Sequence, residues 1–152
     1  MPDTKCGFSS VKNGASGSEM LVAYGPTILV DIGFDPAFKA SSPNVPTPGI
    51  KGVKALIDTG ATASCIDSLL AAQLNLPVVD KMKVSGVHGS QEVNMHMAQV
   101  RIPSLGITHW GAFAGVHLAA GGQLHKALIG RTFLRNFKMI YDGKTGDVTI
   151  SS

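Results

Sequence analysis

One stretch restricts what this chain can become. Ala55-Leu56-Ile57 runs straight into Asp58-Thr59-Gly60-Ala61-Thr62. The apolar residues suit a buried strand, and an aspartate at the end of such a strand is costly to bury unless something bonds to it. The glycine permits a sharp turn and lets another backbone come close. The stretch therefore places a carboxylate on a tight turn at the end of a core strand, facing an internal space. That is a poor way to build a plain core and a reasonable way to build a catalytic acid.

The rest of the chain must supply a β-rich body around that turn. Its 152 residues suit one domain with a real core. Hydrophobic residues make up 44% and charged residues 15%, which excludes wholesale disorder. Eighteen glycines and few long helical repeats favour strands joined by turns. The net charge of +3 is scattered without a basic run, so nucleic-acid binding has no compositional support. No apolar run reaches membrane-spanning length and no leader pattern opens the sequence, which predicts a soluble cytoplasmic protein without a membrane partner. Cys6 and Cys65 make no disulfide framework and read as one tail thiol and one small buried side chain.

Taken in order, residues 1–20 are polar and rich in Ser and Gly and predict a flexible N-terminal arm, with the functional domain spanning 21–152. Thr27–Phe34 is dense in β-branched residues and predicts a strand, with Asp31 at an outward position. Four prolines between Asp35 and Gly49 exclude a helix or central strand there. This loop is either a wall of a binding cleft or a passive insertion. Strand pattern resumes over Lys51–Ile57. After the turn, Ser64-Cys65-Ile66 predicts a short strand, and Asp67-Ser68 caps a helix carrying Leu69, Leu70 and Leu74 up to Leu76-Pro77.

Val79–Ile102 predicts a long hairpin with its tip at Ser85–Ser90. Along its second strand the apolar phase passes from Val93, Met95 and Met97 to Ala98, Val100 and Ile102, which suits a projecting hairpin rooted in the body. His88 and His96 are expected to be exposed. Ile107–Val116 predicts a buried strand, His117–Lys126 a loop, Ala127–Ile129 a strand and Arg131–Asn136 a short helix. Phe137–Tyr141 and Asp147–Ile150 predict a closing hairpin. No metal-ligand spacing, phosphate loop or nucleophile elbow is present, so no metal and no cofactor are expected.

Leu56-Ile57-Asp58-Thr59-Gly60-Ala61, followed about 70 residues later by Leu128-Ile129-Gly130-Arg131, resembles the signature pair of retropepsin-like aspartic proteases. The resemblance runs from Thr27 to Ile150. It implies a mostly β fold, a closed barrel of the acid-protease type with one or two short helices and a single lobe. It implies an aspartic endopeptidase in which Asp58, Thr59 and Gly60 form the catalytic loop. Ala61, Gly86, Val87, His88, Gly89 and Ile129 would contact a peptide substrate lying under a flap formed by the hairpin. With one Asp-Thr-Gly per chain, the resemblance implies a homodimer. Pepsin-like enzymes carry Ser or Thr where this chain has Ala61, and the loss of that hydroxyl implies a mildly acidic to neutral optimum. The Pro-rich loop, the helix after Asp67 and the long N-terminus depart from the retroviral pattern. The alternative function is a catalytically weak or inactive module of the same fold that dimerises or binds peptides.

Overall fold

Alternating apolar residues and turn-forming Gly, Asn and Asp produce ten strands in the computed structural model, which describes every residue except Met1 and His88. The strands are β1 (Asp3–Lys5), β2 (Thr27–Gly33), β3 (Ile50–Ile57), β4 (Cys65–Asp67), β5 (Val78–Gly86), β6 (Gly89–Ile102), β7 (Ile107–Val116), β8 (Ala127–Ile129), β9 (Lys138–Asp142) and β10 (Asp147–Ser151). Three short α-helices accompany them: α1 (Gly17–Tyr24), α2 (Ser68–Gln73) and α3 (Arg131–Leu134). Strand makes up 44% of the chain and helix 14%, so the fold is mostly β.

The order β2-β3-β8-β4-β7-β6 closes on itself, because β2 also pairs with β6, and β5 hangs from β6 as the outer strand of the long hairpin. The closure point is a register shift in β2 between Val30 and Ile32. Beyond it Ile32 still pairs with Ile50 of β3, while Asp31, Ile32 and Gly33 take up Arg101, Val100 and Gln99 of β6. Asp31 stabilises the bend by accepting the Gly52 N–H at 3.0 Å. A bulge of this kind turns a sheet into a barrel and removes its free edges. Val30, Ile32, Ala55, Ile57, Ile66, Ala98, Val100, Ile102 and Ile129 are all fully or almost fully buried. Burying each of the Val and Ile side chains contributes on the order of 1.5–3 kcal/mol, which makes this cluster the main support of the fold.

A second, three-stranded sheet of order β1-β10-β9 shares the barrel's core through Val148 and Ile150. It alters the reading of the N-terminus. Residues expected to form a loose arm are tied down: β1 pairs along β10, the Cys6 N–H bonds to the Val148 carbonyl at 2.8 Å, and the Cys6 side chain is 1% exposed. Ser16 and Glu19 form a reciprocal capping box at the start of α1. The anticipated division at residue 20 falls inside this helix. The sequence hid the anchoring because backbone hydrogen bonds and small residues supply it rather than an apolar stripe. Gly17 and Gly146 pack so closely that a Cβ on Gly146 would meet the Gly17 carbonyl carbon at 2.2 Å. α1 also raises the helix number above the one or two expected.

The other elements fall close to their anticipated spans. Asp67 caps α2 through the Leu70 N–H, and residues 34–49 form a loop. His96 is a correction. Expected at the surface, it is 7% exposed, with Nδ1 3.2 Å from the Leu76 carbonyl oxygen. Along β6 it shares the inward phase of Ala98, Val100 and Ile102. Both cysteines are free thiols.

Candidate active site

Asp58 stands where β3 leaves the barrel. Its N–H still bonds across to β8, donating to the Ile129 carbonyl at 2.9 Å. The chain then turns: the Ala61 N–H reaches back to the Asp58 carbonyl at 3.2 Å, and the carboxylate Oδ1 accepts the Gly60 N–H at 2.9 Å. The side chain of Asp58 is half-buried, while Thr59 and Gly60 are exposed at the tip of the loop.

The second sequence element locks this loop from behind. Gly130 is the residue at which β8 gives way to α3. A Cβ there would meet the Ala63 carbonyl oxygen at 2.6 Å and the Ala61 carbonyl oxygen at 3.0 Å, so only glycine allows the two segments to pack. The Arg131 N–H donates to the Ala61 carbonyl at 2.9 Å and the Thr132 N–H to the Thr62 carbonyl at 3.0 Å. The Arg131 guanidinium donates to the Thr59 carbonyl at 2.7 Å and to the Thr62 hydroxyl at 3.0 Å. The Ser64 hydroxyl accepts the Gly130 N–H at 3.0 Å. The two motifs of the sequence are therefore one structural unit, and its product is a fixed position for the Asp58 carboxyl.

Strand pairing shows what surrounds that carboxyl. Cross-strand partners share a face of a sheet. Cys65 partners Leu128 on β8 and Ala114 on β7, and Ala114 partners Met95 on β6. Two-residue steps along β6 lead from Met95 to Val93 and Gln91, and Gln91 partners Val84 on β5. These side chains form one continuous wall from the Asp58 loop to the hairpin tip. Burial chiefly, and the Asp58 charge next, push the Cys65 thiol up from its ordinary range.

The anticipated site residues divide into two groups. Asp58, Thr59, Gly60 and Ala61 form the loop just described. Gly86 and Gly89 pair with each other across the hairpin end, and Val87 is 99% exposed in the turn between them. Gly89 has φ +99°, a conformation that favours glycine. His88 lies outside the described residues. Ile129 is fully buried in the barrel. Its neighbour Leu128, half-buried, is the residue that shares the Cys65 face. Cys65, Leu128 and Val93 were not singled out as site residues. Their signal was the strand alternation, which needs a known register before it can be used.

Among the described residues no group of three or more His, Cys, Asp or Glu could hold a metal ion. No helix among them is long and apolar enough to cross a membrane. The family model described as "gag-polyprotein putative aspartyl protease" matches residues 49–136, more than half of the chain. No curated protein matches the chain.

Proposed function

Since the chain belongs to the aspartyl protease family matched over residues 49–136, we propose that it is an aspartic endopeptidase active as a homodimer, each copy supplying one Asp58. The observation that carries this reading is the Asp58 loop itself. The carboxyl is pinned by Gly130 and Arg131 at the mouth of a barrel, with Thr59 and Gly60 exposed where a second copy can meet them.

The chemistry requires two carboxyls around one water. Two such groups about 3 Å apart cannot both ionise easily, so they hold one proton between them. The ionised carboxyl takes a proton from the water as its oxygen attacks the scissile carbonyl carbon. The protonated carboxyl gives its proton to the carbonyl oxygen. Collapse of the tetrahedral intermediate then breaks the C–N bond: the first carboxyl gives the proton it took from water to the leaving nitrogen, and the second takes a proton back from a hydroxyl of the intermediate. The pair titrates jointly, so its behaviour belongs to the dimer. One chain has a single Asp-Thr-Gly, and a symmetric, isologous contact supplies the twin.

In this reading the β5–β6 hairpin is the flap, and the peptide lies extended beneath it, bonding its backbone as an added strand. Ala61 offers no hydroxyl to an ionised carboxylate, which favours a mildly acidic to neutral working range.

The test compares wild type with Asp58→Asn in a peptide-library cleavage assay, with the mass in solution measured for both. The expected result is a dimer in each case, cleavage by wild type and none by the variant. Cleavage that survives the substitution rejects Asp58 as the acid. A dimer that binds peptides without cutting them supports the non-catalytic module instead.

A further inference from the structure

The proposed chemistry leaves a space at the far end of the wall unassigned. Val84, Gln91 and Val93 of the hairpin, with Val116 and His117 of the opposite segment, line a cavity of about 270 Å³. Val116 lies two residues beyond Ala114 on β7, and Gln91 and Val93 precede Met95 on β6. The cavity is therefore on the same face as Cys65 and the Asp58 loop. It has room for one long side chain and some water.

Its polar edge is built with care. His117 is exposed, and an exposed imidazole on a loop would ordinarily sample several rotamers. Here Nδ1 lies 2.7 Å from the Ser68 hydroxyl. The next two residues are held as well: one oxygen of Asp67 accepts the Leu118 N–H at 3.1 Å and the Ala119 N–H at 3.0 Å. The other oxygen caps α2 through the Leu70 N–H at 3.2 Å. Asp67 is only 2% exposed, so this clamp is shielded from water. The start of α2 thus fixes the loop that carries His117. With Nδ1 occupied by Ser68, the Nε2 edge of the ring is left to meet a ligand.

The lining combines an apolar sleeve of four valines, Val87 at the hairpin turn among them, and Gly89 with one amide and one imidazole. The sleeve fits an unbranched stem. Gln91 can donate and accept at once, which matches another amide better than it matches a carboxylate or a thioether. Resting on the peptide-hydrolase reading above, we propose that this cavity is a substrate side-chain subsite selective for glutamine. His117 and Gln91 are its specificity determinants, and Ser68 and Asp67 position His117.

Glutamine, glutamate and methionine have side chains of equal length and differ at the tip, which makes them the probe. Full-length protein is assayed on peptide sets in which each position flanking the cut bond carries one of the three. At one position the kcat/KM for Gln is expected to exceed that for Met and Glu by roughly tenfold, as befits a hydrogen-bonded tip at a partly open site. In His117→Leu the Gln-over-Met ratio should fall to within about twofold. Ser68→Ala should lower it in part, and Ser68→Thr, which keeps the hydroxyl, should restore it. A loss of packing alone would not move this ratio, because both peptides are read on the same variant. Asp58-dependent cleavage with no glutamine preference at any position overturns the subsite and leaves the peptidase standing, as does a Gln-over-Met ratio unchanged in His117→Leu. A wild type that cleaves no peptide overturns both.

Discussion

Gly130→Ala tests whether the Asp58 loop is held by lack of space. Gly130 has φ −91°, which any residue adopts, so the backbone conformation does not demand glycine. The demand is steric. An added Cβ would meet the Ala63 carbonyl oxygen at 2.6 Å and the Ala61 carbonyl oxygen at 3.0 Å, where ordinary contact begins near 3.4 Å. Both obstacles are backbone atoms of the Asp58 loop, and neither can step aside without moving it. The hydrogen bonds from the Gly130 N–H to Ser64 and from the Arg131 N–H to Ala61 would stretch with the shift. Overpacking costs about 1–3 kcal/mol, and one weakened hydrogen bond adds about 1. A loss of roughly 2–4 kcal/mol follows, which for a domain of this size lowers the melting temperature by roughly 4–16 °C.

Gly106→Ala is the matched control. Gly106 has φ +65° with nothing within 4 Å of an added Cβ, so the substitution costs only the left-handed strain of about 1–2 kcal/mol. Thermal melts followed by circular dichroism should rank wild type above Gly106→Ala and Gly106→Ala above Gly130→Ala. Peptidase activity, assayed well below every midpoint, should be lost in Gly130→Ala alone. A Gly130→Ala protein that melts within about 2 °C of wild type, or above the control, would show that the loop yields cheaply. The steric account of the two motifs would then be wrong.

Arg131→Met removes both guanidinium bonds to the loop, and because Arg131 is exposed the stability cost should stay near 1 kcal/mol or below. Peptide kcat should nevertheless drop about tenfold, and Arg131→Lys should not restore it, since an ammonium lacks the planar fork; melts and initial rates on both variants check this. Burial raises the Cys6 thiol to about 11, so the unfolded chain loses this proton first as pH climbs past 9 and the native state is disfavoured. Urea titrations from pH 8 to 11 should show roughly 2 kcal/mol of stability lost in wild type beyond the loss seen in Cys6→Ala. Ala61→Ser supplies the hydroxyl missing beside the catalytic carboxyl, and the acid limb of its pH–rate profile should move to lower pH; an unmoved limb would remove Ala61 from the account of the working range.

The Asp58 turn was legible because burial of a carboxylate is expensive, so an aspartate directly after Ala55-Leu56-Ile57 carries information on its own. Most of the barrel was legible because alternation and turn residues are local signals. The wall around the acid was not. In β8 all three residues are apolar, and nothing in Ala127-Leu128-Ile129 marks which side chain looks outward. That choice is made by the pairing of Cys65 with Leu128. A slip of one residue there would turn Ile129 to the cleft and Leu128 to the core. His96 was misplaced for the same reason, since its orientation follows the phase of Ala98 and Val100 rather than its own polarity. The Asp67 clamp joins residues 51 and 52 positions apart and exists only because β4 runs parallel to β7. The proposed reacting group is thus written in one short segment, while the side chains of the proposed substrate wall are set by hydrogen-bond register between distant strands. Changes in specificity should therefore come from substitutions on the Cys65–Leu128–Ala114–Met95 face, and changes in catalysis from the segments 58–64 and 130–131.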